Sequence, residues 1–150
     1  MGKDLAGFAL LAVASVCLGL LINQGRDHPL PLIHVTEAGQ NGSIRLPEFR
    51  EIVKSGKAII VDARPGLFYR LGHVPGAINL SREEFERDYP KRKELGDKDR
   101  LVAVYCSGTD CKESGTVAAA LAKLGHSRVV VFAGGWDEWK GAGLPTETGP

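Results

Sequence analysis

The stretch LVAVYC (101–106), running straight into SGTDCKES (107–114), decides how this chain is read. LVAVY is a continuous apolar run, the pattern of a strand covered on both faces. The polar, glycine-containing stretch behind it reads as a loop. From Ser114 the apolar residues Val117, Ala118, Leu121 and Leu124 fall at helical spacing, and Gly125 supplies a stop. The unit is therefore strand, loop, helix, with the thiol of Cys106 at the first bend.

The same alternation extends in both directions. AIIV (58–61) and VVVF (129–132) are further apolar runs, and Ala77 to Leu80 is a shorter strand candidate. Pro47 in a first helical turn, followed by Phe49, Ile52 and Val53, predicts a short helix ending near Ser55 and Gly56. Residues 82–95 are charged with sparse apolar anchors (Phe85, Tyr89, Leu95), which predicts a surface helix or two, and Trp136 to Trp139 begins a last helix. Apolar strands alternating with helices imply an α/β domain whose central, mainly parallel sheet is flanked by helices on both faces.

A chain of 150 residues holds one ordinary domain and an appendage. Nineteen basic against eighteen acidic side chains leave a net charge of +1, so there is no basic footprint and no nucleic-acid partner is expected. Charged residues at 25% and hydrophobic residues at 43% exclude wholesale disorder. The three cysteines, Cys17, Cys106 and Cys111, are too few for a disulfide scaffold.

The appendage is LAGFALLAVASVCLGLLI (5–22), which carries no charge. As a helix it would be roughly 27 Å long, close to the hydrocarbon thickness of a bilayer. A cleaved signal peptide would have a shorter apolar run ending at its small-residue site, whereas Ala12-Val13-Ala14 lies mid-run. The segment is read as an uncleaved transmembrane anchor over 5–22, followed by a Pro- and Gly-containing linker over 23–42 in which residues 32–35 form an extended piece. Lys3 and the terminal amine against Arg26 give a small positive-inside bias, which leaves the domain on the extracytoplasmic side of a single-pass membrane protein. Cys17 is read as a packing or lipid-facing residue.

A thiol at the carboxyl end of a parallel strand, beside a helix N-terminus, stands where open α/β sheets bind ligands. Unpaired N–H groups and the positive end of the helix dipole favour a thiolate and an anionic substrate there. The competing reading makes Cys106 an inert core residue finishing its strand.

VDARPGLFYRLGHVPGAINL (61–80), VYCSGTDC (104–111) and LAKLGHSRVVVFAGGWDEWKGAGLP (121–145) resemble, in order and spacing, the rhodanese-like domain, over roughly residues 43–148. The resemblance implies a three-layer α/β fold and a catalytic cysteine, here Cys106. That cysteine takes a sulfane sulfur from a small anionic donor such as thiosulfate and passes it, as a persulfide, to a thiol or cyanide-like acceptor. The loop residues Ser107, Gly108, Thr109, Asp110 and Lys112 would bind the donor, with no cofactor and no metal. Asp62 and Arg64 match the family's DAR and are read as supporting residues, because a buried carboxylate demands a partner. His73 in GHVPGA is read as fixing a turn, in preference to acting as a base. Gly134 and Gly135 are read as a tight turn, and Trp136 and Trp139 as packing aromatics.

The loop departs from the pattern. Single-domain members carry an Arg-Ser or similar pair five and six residues after the nucleophile, where this chain has Cys111 and Lys112. Lys112 offers a point charge in place of a guanidinium fork. Asp110 opposes both thiolate and anion, and is read as a cap on the following helix. Cys111 is either a resolving thiol for Cys106 or a passive loop residue. A zinc site is disfavoured because the pair is not CxxC and no histidine lies at ligand spacing. Two alternatives to a sulfurtransferase stay open: a catalytically silent binding or redox-sensing module, and, ranked lower, a cysteine phosphatase or arsenate reductase, whose loops carry an arginine where Lys112 stands.

Overall fold

Strands and helices alternate along residues 42–149, which together with Ser15 are the residues that the computed structural model describes. Strand β1 (Gly42–Ile44) leads into helix α1 (Leu46–Ser55), then β2 (Ile59–Asp62), α2 (Gly66–Leu71) and β3 (Ala77–Asn79). The short α3 (Phe85–Asp88) and two 3₁₀ turns (Tyr89–Lys91 and Lys93–Gly96) precede β4 (Val102–Tyr105), α4 (Glu113–Lys123), β5 (Val129–Phe132) and α5 (Gly135–Gly141). The sheet has five strands in the order β1-β5-β4-β2-β3, and every pairing is parallel.

The apolar runs alternate faces as a sheet requires. Ile59, Val61, Val102 and Val104 join Val117, Ala118 and Leu121 of α4, Phe85 of α3, and Cys106 in one core layer. Ile60, Ala103, Tyr105, Val130 and Phe132 point the other way, onto Phe49 of α1, Tyr69 of α2 and Trp139 of α5. Phe49 stacks on Phe132 with ring centroids 4.3 Å apart and meets Trp139 edge-on at 5.5 Å. Each buried side chain of this size contributes about 1.5–3 kcal/mol of hydrophobic stabilisation. The expected α/β three-layer architecture is present, with the sheet wholly parallel.

Several sequence readings hold at residue level. Pro47 opens α1, Gly56 ends it in the left-handed conformation (φ 62°), and Gly125 follows α4 with φ 92°. The second strand of the reading is cut to Ala77–Asn79, and residues 82–95 form one helical turn and two 3₁₀ turns in place of a regular surface helix. Strand β1 departs from the sequence reading: Gly42, the last residue of the expected linker, pairs with Val130 of β5. The expected anchor (5–22), the extended piece (32–35) and the rest of the linker (23–41) lie outside the described residues. Among the described residues no helix is long and apolar enough to cross a membrane.

Candidate functional site

The carboxyl ends of β2, β4 and β5 bring three segments together: Asp62 to Arg64, the loop from Cys106 to Lys112, and the turn at Gly134 and Gly135. Parallel pairing places Tyr105 opposite Asp62 on one side and Phe132 on the other, so whatever follows each strand emerges at the same end of the sheet.

The loop is held from behind by α5. The amide of Trp136 donates to the Cys106 carbonyl at 2.7 Å, and that of Asp137 to the Ser107 carbonyl at 2.8 Å. In a trans peptide the C=O and the next N–H point in opposite directions. Tying these two carbonyls to α5 therefore turns the amides of Ser107 and Gly108 away from it. The amides of Ser107, Gly108, Thr109 and Asp110 meet no acceptor among the described residues, whereas that of Cys111 closes a turn onto the Gly108 carbonyl at 3.1 Å. Gly135 makes the approach possible: it has φ 60°, and a Cβ there would lie 2.5 Å from the Cys106 oxygen and 2.8 Å from the Gly108 nitrogen. Only glycine fits.

Cys106 and Cys111 are joined in a disulfide, with their Cα atoms 6.3 Å apart. Cys106 is 1% exposed and belongs to the α4-side core layer, while Cys111 is half-buried and faces the cavity. Ser114, buried in the first turn of α4, places its hydroxyl as a donor 3.4 Å from Cys106 Sγ. On the other sulfur, Glu113 Oε2 lies 2.7 Å from Cys111 Sγ.

An open cavity of about 380 Å³ lies over this loop, lined by Ser107, Gly108, Thr109, Asp110 and Cys111, with Glu113 and Asp137. Five of the expected site residues thus share one surface. Lys112 does not line it: exposed, it stands at the N-cap of α4. Asp110 does not cap that helix, a correction to the expectation; α4 begins three residues later without a side-chain cap. The expectation of a helix-capping carboxylate failed because the turn ending at Cys111 carries Asp110 out to the cavity rim. The lining carboxylates are Asp110, Glu113 and Asp137, whose charges oppose an anion in this cavity.

Asp62 and Arg64 form a buried ion pair beside the loop, 0% and 4% exposed. Arg64 donates through Nε to Oδ1 at 3.0 Å and through Nη2 to Oδ2 at 2.6 Å, and its Nη2 also reaches the Gly72 carbonyl. Burial works against the guanidinium, but the Asp62 carboxylate outweighs it and holds Arg64 above its usual range. Tyr105 donates its hydroxyl to Asp62 Oδ2 at 2.7 Å and accepts the Val74 amide. Burial, then the Asp62 charge, push the Tyr105 phenol well above its ordinary value, so it remains a donor. The Arg64 guanidinium stands 4.6 Å from the Trp136 ring centroid. Through that ring the pair touches the residue whose amide holds the Cys106 carbonyl, and Asp62, Arg64 and Tyr105 do not line the cavity.

His73 is 4% exposed, contacts the Tyr69 carbonyl through Nδ1 at 2.9 Å and forms a backbone bridge with Glu147. That is the turn-fixing role the sequence favoured. Three site residues escaped that reading: Glu113 and Asp137, and the direct contact of Ser114 with sulfur. Glu113 was legible as an acid two residues after Cys111 in a helix first turn; Asp137 lies too far along the chain to be paired by spacing.

The sequence and the fold both have relatives. Residues 46–142 match the family model described as Rhodanese-like domain. A protein of Escherichia coli K12 named YibN is 31% identical over 102 residues, covering 68% of this chain and 69% of that protein. The thiosulfate sulfurtransferase GlpE of Actinobacillus succinogenes is 29% identical over 98 residues, covering 65% of this chain and 83% of that enzyme. An HTH-type transcriptional regulator of Mycobacterium tuberculosis is 35% identical over 97 residues, which cover 64% of this chain but only 40% of the regulator. Among solved structures, the BH2092 protein of Bacillus halodurans superposes with a TM-score of 0.64 at 27% identity, covering 72% of this chain and 77% of that one.

Proposed function

The chain belongs to the rhodanese-like domain family, and from that membership we propose that it is a sulfurtransferase acting through Cys106. Once the disulfide is reduced, the Cys106 thiolate attacks the sulfane sulfur of an anionic donor such as thiosulfate. A persulfide forms, sulfite leaves, and a thiol or cyanide-like acceptor then removes the outer sulfur. Ser107, Gly108, Thr109 and Asp110 bind the donor through their free backbone N–H groups, while Lys112, exposed at the N-cap of α4, adds a positive charge outside the cavity lining. The observation that carries the reading is the placement of Cys106 Sγ, at the end of β4 and 3.4 Å from the Ser114 hydroxyl at the start of α4. A positive helix end and a hydroxyl donor both favour a thiolate there. Relatives that are thiosulfate sulfurtransferases add support.

The test is thiocyanate formation from thiosulfate and cyanide by the full chain, reduced beforehand. Turnover that disappears in Cys106→Ser supports the reading, and its absence in the reduced wild-type chain refutes it.

A second reading, a redox-sensing or binding module, is favoured by the disulfide itself, which occupies the nucleophile. It expects binding or partner release to track the redox state with no turnover in the same assay. The phosphatase or arsenate reductase reading is weaker. Lys112, six residues after Cys106, cannot grip oxyanion oxygens bidentately, and three carboxylates line the cavity. Release of phosphate from an aryl phosphate would favour it.

The apolar run 5–22 supports the further proposal of a single-pass anchor with the domain on the extracytoplasmic side. Protease protection in intact and opened cells tests that orientation.

A further inference from the structure

Cys111 holds the outer position of the pair. It faces the cavity, is bonded to the buried Cys106, and has a carboxylate oxygen, Glu113 Oε2, 2.7 Å from its sulfur. A carboxylate beside a thiol is placed to accept its proton, a service that a passive loop cysteine does not require. A resolving thiol needs both an attackable partner and somewhere to send its proton.

We propose that the loop is a reductive sulfur-release centre, in which Cys111 resolves the Cys106 persulfide and expels the sulfane sulfur as hydrosulfide. The proposal rests on the sulfur-transfer reading, since it begins from the persulfide. In the step, Cys111 Sγ attacks Cys106 Sγ. A bond forms between the two cysteine sulfurs, and the bond from Cys106 Sγ to the terminal sulfur breaks. The bonding pair leaves on that terminal sulfur. Glu113 takes the Cys111 thiol proton and delivers it to the departing sulfur, so persulfide anion and thiol become disulfide and hydrosulfide with proton and charge conserved. The two cysteines supply the two electrons that reduce the sulfane sulfur.

The product is the disulfide seen here. Resetting it takes an external dithiol, whose thiolate attacks the accessible Cys111 sulfur. Cys106 is then the leaving thiolate, stabilised by the Ser114 hydroxyl 3.4 Å away. Over a cycle, thiosulfate and a dithiol become sulfite, hydrogen sulfide and a disulfide. The acidic lining suits this outcome: Asp110, Glu113 and Asp137 favour departure of the sulfite and hydrosulfide anions.

The test is a single turnover without added acceptor. The full chain, kept in a mild detergent for its apolar segment, is reduced, freed of reductant, and mixed with thiosulfate under anaerobic conditions; sulfite, sulfide and protein mass are followed. The wild-type chain should release sulfite and then sulfide in nearly equal amounts and end as the intramolecular disulfide. Cys111→Ser should release sulfite but no sulfide, and keep an adduct of about 32 Da on Cys106, one sulfur atom. Glu113→Gln should lower the rate of sulfide release relative to sulfite formation by at least about tenfold and change its pH profile, with Glu113→Asp restoring part of it. A wild-type chain that forms sulfite but retains the adduct overturns the proposal and leaves sulfur transfer standing, as does Cys111→Ser releasing sulfide at the wild-type rate. A wild-type chain that forms no sulfite removes the sulfurtransferase reading, and this proposal with it.

Discussion

The Arg64 guanidinium stands over the ring of Trp136, 4.6 Å from its centroid, and the amide of the same tryptophan holds the Cys106 carbonyl at 2.7 Å. One aromatic residue thus connects a buried ion pair on one side of the sheet to the sulfur-bearing loop at its end. The stability of the ion pair itself is open to test. Arg64→Ala leaves the Asp62 carboxylate, which is 0% exposed, with neutral donors such as the Tyr105 hydroxyl but no counter-charge, and should cost about 3–5 kcal/mol of stability. Denaturant unfolding measures it, and a loss below about 1 kcal/mol would show that the pair is not desolvated as the contacts require.

Gly135→Ala should disable the loop more than the fold. A Cβ at φ 60° and 2.5 Å from the Cys106 oxygen cannot be accommodated without moving either the 106–108 backbone or α5. The left-handed strain alone is worth roughly 1–3 kcal/mol. The thiosulfate–cyanide assay on folded variant, compared with Gly143→Ala as a second positive-φ site with open space around it, separates displacement of the loop from general strain. Equal losses in both variants would argue against a specific role for the close approach.

The disulfide closes a loop with a sequence separation of 5, which by chain entropy stabilises the domain by about 2 kcal/mol. A thiol reductant should lower the unfolding midpoint of the wild-type chain and leave that of Cys111→Ser unchanged. A midpoint indifferent to reductant in both would mean that the unfolded chain gains nothing from release of the link.

Stability should fall in mild acid, with His126 as one source. Burial, and then the nearby Lys98 charge, hold this histidine below its ordinary value of 6.5. Its Nδ1 is buried without a partner, and its Nε2 lies 3.1 Å from both the Tyr89 hydroxyl and Lys98 Nζ. The unfolded chain therefore binds a proton at a higher pH than the folded one. The contribution is complete above pH 6.5 and is lost as the pH falls toward the lowered folded value. Unfolding midpoints should rise with pH on the acid side of 6.5 and level off above it, and His126→Gln should flatten that rise. A slope unchanged in the variant assigns the pH dependence to other groups.

The sheet was legible because its central strands are apolar on both faces. Ile59 to Val61, Val102 to Tyr105 and Val129 to Phe132 leave no other place for those side chains. Strand β1 was not legible: Gly42, Ser43 and Ile44 form an edge whose pairing with β5 depends on backbone hydrogen bonds, which no side-chain pattern advertises. The loop was legible as a cluster of residues but not as a surface. Spacing identified Cys106 and Cys111, yet the departure of Asp110 from the helix cap and the arrival of Asp137 from beyond β5 are set by tertiary contact. Local sequence carries no signal for either, so the acidity of the cavity emerged only with the fold.

The wholly parallel sheet gives the domain two unlike poles. Gly42, at which the described domain begins, pairs with Val130, whereas Cys106 follows Tyr105 beyond the opposite ends of the strands. A linker fused at Gly42, for immobilising the domain on a bead or an electrode, would grip it like a handle at the far end from the reactive sulfur and leave the mouth of the loop unobstructed.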